Sequence, residues 1–136
     1  MLIRTHYYLQ SEKIESSRVK NVSDYPDMQE LLCAADVLLT DYSSCMGDMA
    51  LMKKPVFLYT PDLEDYIKDR GFYWNIHTLP FPLSENQEEF YLSIQNFNNK
   101  EYCEGIDKYL KRLGTYENAD SAEKTVSWLT EQWTTQ

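Results

Sequence analysis

Three features of the chain predict an α/β fold: a Rossmann-like parallel sheet with flanking helices, followed by a helical C-terminal segment. Short apolar runs alternate with helix-like segments between residues 19 and 76, with brief joins. That alternation is the mark of strands laid parallel by helical crossovers. The runs Val37-Leu38-Leu39-Thr40 and Val56-Phe57-Leu58-Tyr59 are nearly continuous rather than alternating, as expected of strands covered on both faces. Beyond Pro80 and Pro82 the apolar spacing becomes helical. The chain is thus expected to be one partial domain, with a sheet part over 1–76 and a helical part over 84–134.

Each element has its own signal. Leu2-Ile3-Arg4-Thr5-His6 opens the chain as an extended run, and the polar residues 10–18 read as a loop. Val19 to Val22 reads as a second short strand. A helix follows, with Pro26 in its first turn behind Asp24 or Tyr25, and with Asp27 and Glu30 at the positive end of its dipole. After the strand at 37–40, Ser43 to Met52 reads as a helix with Met46, Met49, Ala50 and Met52 as core contacts. Pro55 ends it before the strand at 56–59. Thr60-Pro61 opens another helix that stops at Gly71, a residue suited to the left-handed position after a helix end. Phe72-Tyr73-Trp74-Asn75-Ile76 reads as one more strand. Helices are expected at 85–98, 101–113 and 121–133. Tyr102, Ile106, Tyr109, Leu110 and Leu113 line one face of the second of these, and Ala122, Val126, Leu129 and Trp133 one face of the third.

Composition narrows the functional classes. At 136 residues and 43% hydrophobic, the chain is long and apolar enough for a core. A net charge of −9 excludes a nonspecific nucleic-acid binder, but a few local donors can still hold a phosphate. The three cysteines fit no zinc spacing, and Cys33 and Cys45 read as small buried apolar residues. With two histidines, no protein-held metal and no cofactor are expected. No run reaches the ~18 apolar residues of a membrane span, and Arg4 and His6 interrupt the only apolar stretch near the start. A soluble, cytoplasmic chain is the expectation.

The chemistry concentrates at Asp41-Tyr42-Ser43-Ser44. In open parallel sheets, ligands bind outside the carboxyl ends of the strands, and this tetrapeptide joins such an end to a helix start. Free backbone N–H groups, a partial positive charge and two hydroxyls can cradle a phosphate or pyrophosphate. Asp and Ser are equally the common helix caps, so both roles stay open. His6 closes another strand and would share that edge, where it could bind phosphate or move a proton. Arg70 could complete a phosphate site or simply complement a helix dipole. His77, Lys53, Lys54 and the acids Asp62, Glu64 and Asp65 have ordinary readings as loop, helix-end and helix-start residues.

A set of ordered motifs goes further: Asp24-Tyr25-Pro26-Asp27, Thr40-Asp41-Tyr42-Ser43-Ser44, Lys53-Lys54-Pro55, Pro61-Asp62-Leu63-Glu64-x-Tyr66 and Arg70-Gly71-Phe72-Tyr73. Together with Arg4-Thr5-His6 and residues 114–125, they resemble the C-terminal part of the CDP-glycerol glycerophosphotransferases, the teichoic-acid primases and polymerases. The resemblance is close over 1–76 and looser over 114–130. It implies the C-terminal half of a GT-B fold, which binds the cytidine diphosphate donor. It also implies transfer of glycerol phosphate from CDP-glycerol to a poly(glycerol phosphate) or lipid-linked acceptor. By the same resemblance, His6 matches a histidine that contacts the donor phosphates and is needed for activity. Ser43 and Ser44 match serines that hold the pyrophosphate, Asp41 organises their loop, and Arg70 is a further donor-site residue. Two positions depart from the family pattern. Asn118-Ala119 replace Asp-Gly near the last helix, and Pro80-Phe81-Pro82 replace Pro-Gly-Pro.

The resemblance further implies that an N-terminal domain carrying the acceptor site, and the first strand and helix of this domain, lie outside the chain. In the 3-2-1-4-5-6 order that strand is central. The strand at 2–5 should then pair with that at 36–40, or another chain, such as a second copy in a homodimer, should complete the sheet. Turnover by this chain alone is not expected. Membrane association is peripheral in the family. Competing readings are a GT-B transferase with another donor (CDP-ribitol, CMP-sialic acid or a UDP-sugar) and a noncatalytic interaction module. Eleven tyrosines and the exposed or core-packed Trp128 and Trp133 bear on the latter.

Overall fold

A computed structural model describes residues 1–5, 16–116 and 118–134. His6 and most of the polar stretch 10–18 lie outside the described residues. The chain falls into two compact units, Met1–Ala35 and Asp36–Gln136.

In the first unit, β1 (Leu2–Ile3) and β2 (Lys20–Asn21) pair in parallel, Leu2 against Lys20 and Ile3 against Asn21. Lys20 N donates to Met1 O at 2.9 Å and Val22 N to Ile3 O at 2.8 Å. The partner of β1 is therefore the strand at 20–21, not residues 36–40 as expected. Thr5 N donates to Ser23 Oγ at 3.1 Å, which extends the link past the ladder. Helix α1 (Met28–Ala34) starts one step later than its proline implies. Its cap is Asp27, whose Oδ1 accepts from Glu30 N at 3.0 Å, so Pro26 precedes the cap instead of filling the first turn. The side-chain acceptor defines the start, because it satisfies a donor that proline cannot.

In the second unit, β3 (Leu38–Thr40), β4 (Val56–Tyr59) and β5 (Leu83–Ser84) form a parallel sheet in the order β3-β4-β5. Leu38, Leu39 and Thr40 lie against Val56, Phe57 and Leu58; Leu58 and Tyr59 lie against Leu83 and Ser84. Helix α2 (Cys45–Leu51) makes the β3–β4 crossover. Helix α3 (Leu63–Asp69) and a 3₁₀ turn (Ile76–Thr78) lie between β4 and β5. The strand expected at 72–76 is absent: Asn75 caps the 3₁₀ turn, its side chain accepting from His77 N at 3.0 Å. The third strand is instead Leu83–Ser84, directly after the Pro80-Phe81-Pro82 segment, whose Pro82 O accepts from Leu58 N at 2.8 Å. Proline suits the position just before the strand, where no ladder N–H is required.

Only β4 is buried as the apolar pattern predicts: Val56 and Leu58 are fully inaccessible, each worth about 1.5–3 kcal/mol. In β3 and its lead-in, Val37 and Leu39 are both 52% exposed. β4 has a strand on each side, whereas β3 has one strand neighbour among the described residues.

Helices α4 (Gln87–Gln95), α5 (Asn99–Leu113) and α6 (Ser121–Thr134) complete the chain. The core gathers Met49 and Ala50 of α2, the strand β4, Leu63, Ile76, Phe81, and Tyr102 and Ile106 of α5. Tyr102 Oη donates to Lys54 O at 2.9 Å, tying α5 to the α2–β4 connection. Gly105 brings α5 against Pro80, whose Cβ would lie 3.2 Å from a β-carbon there. Phe81 fills the core and meets Tyr109 edge-on with centroids 5.5 Å apart. Helix α6 buries none of its residues; Trp128 and Trp133 are exposed, so neither packs in the core. Cys45 is buried, but Cys33 is exposed, contrary to its apolar setting.

Candidate functional site

Because β3, β4 and β5 are parallel, their carboxyl ends share one edge. Three turns leave from it: Asp41–Ser44, Thr60–Asp62 and Glu85–Asn86. The first is the motif singled out in the sequence. Asp41, Ser43 and Ser44 are exposed there. Beneath the turn, the buried Cys45 thiol makes only a weak contact with Thr40 Oγ1, at 3.9 Å.

The serines cap weakly. Ser44 occupies the N-cap position of α2 but has helical backbone angles (φ −62°, ψ −14°) and makes no side-chain cap bond. Ser43 Oγ accepts from Cys45 N at 3.4 Å, a long bond. Compare Asn98, whose Oδ1 accepts from both Lys100 N and Glu101 N at the start of α5. Capping therefore accounts for little of this pair, and both residues are exposed.

Tyr42 is the residue that the sequence reading passed over. Its ring stacks on Tyr66 at a centroid distance of 3.7 Å and 18° between planes, and lies 5.8 Å from Phe72. Its hydroxyl donates to Asp62 Oδ1 at 2.7 Å. Burial first, and then that hydrogen bond, hold the Tyr42 phenol above the ordinary tyrosine range. Asp62 sits at the N-cap position of α3 and makes no cap bond of its own. Twenty residues separate the two partners, so no local pattern pairs them. The only signal was Tyr42's place inside the motif.

The other candidates lie elsewhere or remain apart. Arg70 is the C-cap of α3, with its N–H on Tyr66 O at 2.9 Å. Since α3 runs away from the carboxyl edge, its seven residues place Arg70 about 10 Å from that helix's start. Gly71 (φ +69°) then turns the chain back toward Phe72, as the expected left-handed glycine. His6 lies outside the described residues. His77 is exposed in the 3₁₀ turn. Lys53 is engaged by Asp107 at 2.7 Å. Asn118 Oδ1 accepts from Asp120 N at 3.4 Å and from Ser121 Oγ at 3.3 Å, so its side chain organises the start of α6. Among the described residues, no three metal-ligating side chains cluster, and no helix is long and apolar enough to cross a membrane.

One more feature marks the edge. Thr60 and Ser84 end adjacent strands, with Thr60 N on Ser84 O at 2.9 Å. Both are fully buried, and among the described residues neither hydroxyl has a hydrogen-bond partner.

Residues 1–131 match the family described as CDP-Glycerol:Poly(glycerophosphate) glycerophosphotransferase. The teichoic acid poly(glycerol phosphate) polymerase of Bacillus spizizenii is 35% identical over 135 residues, covering 95% of this chain and 34% of that protein. The teichoic acid glycerol-phosphate transferase of Staphylococcus aureus is 33% identical over 129 residues, covering 91% and 33% respectively. The solved wall teichoic acid polymerase TagF superposes with a TM-score of 0.76 at 29% identity, over 96% of this chain and 34% of that one. A TagF variant soaked with CDPG gives 0.73 at 30% identity, with the same coverage. The chain spans about a third of the length of these relatives. Its sheet, its motifs and this extended match establish that the chain belongs to the CDP-glycerol:poly(glycerophosphate) glycerophosphotransferase family.

Proposed function

We propose that this chain is the donor-binding portion of a transferase that moves glycerol phosphate from CDP-glycerol to a poly(glycerol phosphate) or lipid-linked acceptor. The observation that carries the reading is the pair Ser43 and Ser44. Both are exposed at the carboxyl end of β3, and Ser44 sits at a helix start without capping it. In a chain of net charge −9, a pyrophosphate needs such local donors. The two hydroxyls supply them, at the positive end of the α2 dipole.

Transfer of this kind depends chiefly on positioned donors and neutralised charge. Ser43 and Ser44 hold the pyrophosphate, and Asp41 shapes their turn. His6 contacts the donor phosphates and moves a proton there, and Arg70 adds positive charge from the far end of α3. No metal or cofactor enters this reading; the nucleotide-activated donor is itself a substrate. Donor binding is the part of the reaction that this chain carries. Its place is the cytoplasm, peripheral to the inner face of the membrane. Completion of the sheet by a second copy belongs to the same reading, since β3 leaves Val37 and Leu39 half exposed. Sedimentation equilibrium tests that part; a monomer at all concentrations overturns it.

The test of the function is a titration of CDP-glycerol, CDP, CDP-ribitol and UDP, followed by amide-resolved NMR and repeated with Ser43→Ala/Ser44→Ala. The expected result is saturable shifts at residues 41–46 and His6, stronger for cytidine nucleotides and lost in the double variant. Absence of shifts at millimolar ligand overturns the reading.

A further inference from the structure

The serines are placed with little help from their own hydrogen bonds, so something else must hold their turn. The backbone of Ser43 and Ser44 receives Met46 N at 3.3 Å and Gly47 N at 2.9 Å, and these fix α2 onto the turn but not the turn onto the rest of the edge. The adjoining residue does the second task. Tyr42 lays its ring on Tyr66 of α3, which itself stacks on Phe72 at 5.1 Å, and donates its hydroxyl hydrogen bond to Asp62 Oδ1. Two carboxyl-end turns, from β3 and from β4, are thereby joined through one side chain.

Asp62 shows that this link has a cost. Aspartate at an N-cap position ordinarily accepts from its own helix and stabilises it. Here the carboxylate turns away from α3, leaves that helix without a side-chain cap, and takes the Tyr42 hydroxyl instead. Local rules are broken in this way where geometry serves a site. The bond is exposed, so it orders the turn more than it stabilises the fold, and the ring stack on Tyr66 keeps the Tyr42 side chain beside α3.

We infer that Tyr42 and Asp62 form a latch that positions the Asp41–Ser44 turn before the ligand arrives. Tyr42 is a positioning residue, not a catalytic one: it acts through Ser43 and Ser44. Its role for the donor rests on the function proposed above, but the latch itself is defined without any ligand. A pre-organised turn meets a pyrophosphate without first losing conformational freedom.

Four forms of the 136-residue chain test this: wild type, Tyr42→Phe, Asp62→Ala and Asp62→Asn. Tyr42→Phe keeps the stack and removes the bond, whereas Asp62→Asn keeps an acceptor oxygen. Three readouts are taken on each: urea stability, amide exchange of Met46 and Gly47, and CDP affinity by NMR titration. The expected result for Tyr42→Phe and Asp62→Ala is exchange about tenfold faster at Met46 and Gly47. CDP affinity falls about tenfold, with the urea midpoint nearly unchanged and Asp62→Asn close to wild type. A midpoint that drops in step with affinity, or exchange equal in all four proteins, overturns the latch. If wild type binds no CDP, the donor-binding reading fails, and the exchange rates alone still decide whether the latch exists.

Discussion

Replacing Ser44 by alanine separates the two roles that a serine at a helix start can have. A capping serine typically contributes about 1 kcal/mol, within a range of about 0.5–2. Ser44 makes no cap bond, so Ser44→Ala is expected to change stability by less than about 0.5 kcal/mol, the range of an uninvolved surface site. Asn98 provides the internal comparison in the same unit. Its carboxamide oxygen accepts from Lys100 N at 3.0 Å and Glu101 N at 3.3 Å, so Asn98→Ala should cost about 1 kcal/mol. For a ligand the order reverses. A hydroxyl that donates to a charged pyrophosphate oxygen contributes about 1.5–3 kcal/mol, so Ser44→Ala should weaken CDP binding by about tenfold or more. Asn98→Ala should leave binding unchanged. Urea unfolding followed by tryptophan fluorescence gives the first quantity, and NMR titration gives the second. If Ser44→Ala lost 1 kcal/mol or more while CDP affinity stayed constant, the serine would be a cap and the reasoning would fail.

Three further outcomes follow from the packing. Tyr102→Phe should lose about 1 kcal/mol through its bond to Lys54 O. Burial raises the Tyr102 phenol to about 12, so the folded state keeps a proton that the unfolded chain releases near pH 10. Stability should therefore fall as pH rises from about 10 to 12, and Tyr102→Phe should flatten that decline in pH-dependent urea midpoints. Ser84→Ala removes a fully buried hydroxyl without a partner among the described residues and should raise stability by about 1 kcal/mol in thermal or urea unfolding. Gly71→Ala places a β-carbon at φ +69° with its nearest atom 3.9 Å away, so strain rather than collision sets the cost. A loss of about 1 kcal/mol in urea unfolding is expected, and less for Gly71→Asn.

The sequence reading located helices α1 to α6 to within a few residues, because periodic apolar faces and cap residues are local signals. It also found Gly71, whose left-handed backbone is demanded by the helix end it follows. It erred at Phe72–Ile76 and at β5. Both are short, and both are decided by non-local pairing. Five aromatic and apolar residues look like a strand, yet Asn75 turns them into a 3₁₀ cap, while two residues after a proline become a strand because β4 offers an unpaired ladder. Burial was legible only where the neighbours happened to agree. Val37–Thr40 and Val56–Tyr59 look alike in composition, but β4 lies between two strands and β3 does not.

At the candidate site, the sequence alone determined the residue types, their order and their place between a strand and a helix, because those are properties of contiguous chain. From them followed the fold class and the family. Only the tertiary structure decided that Ser44 leaves its helix uncapped and that Asp62 turns from its own helix to hold Tyr42. It also decided that the hydroxyls of Thr60 and Ser84 end adjacent strands in a buried state, unpartnered among the described residues. The physical reason is one of range. Capping and periodicity act within four residues and leave a trace in the sequence, whereas a side-chain bond across twenty residues depends on where parallel strands bring their carboxyl ends together.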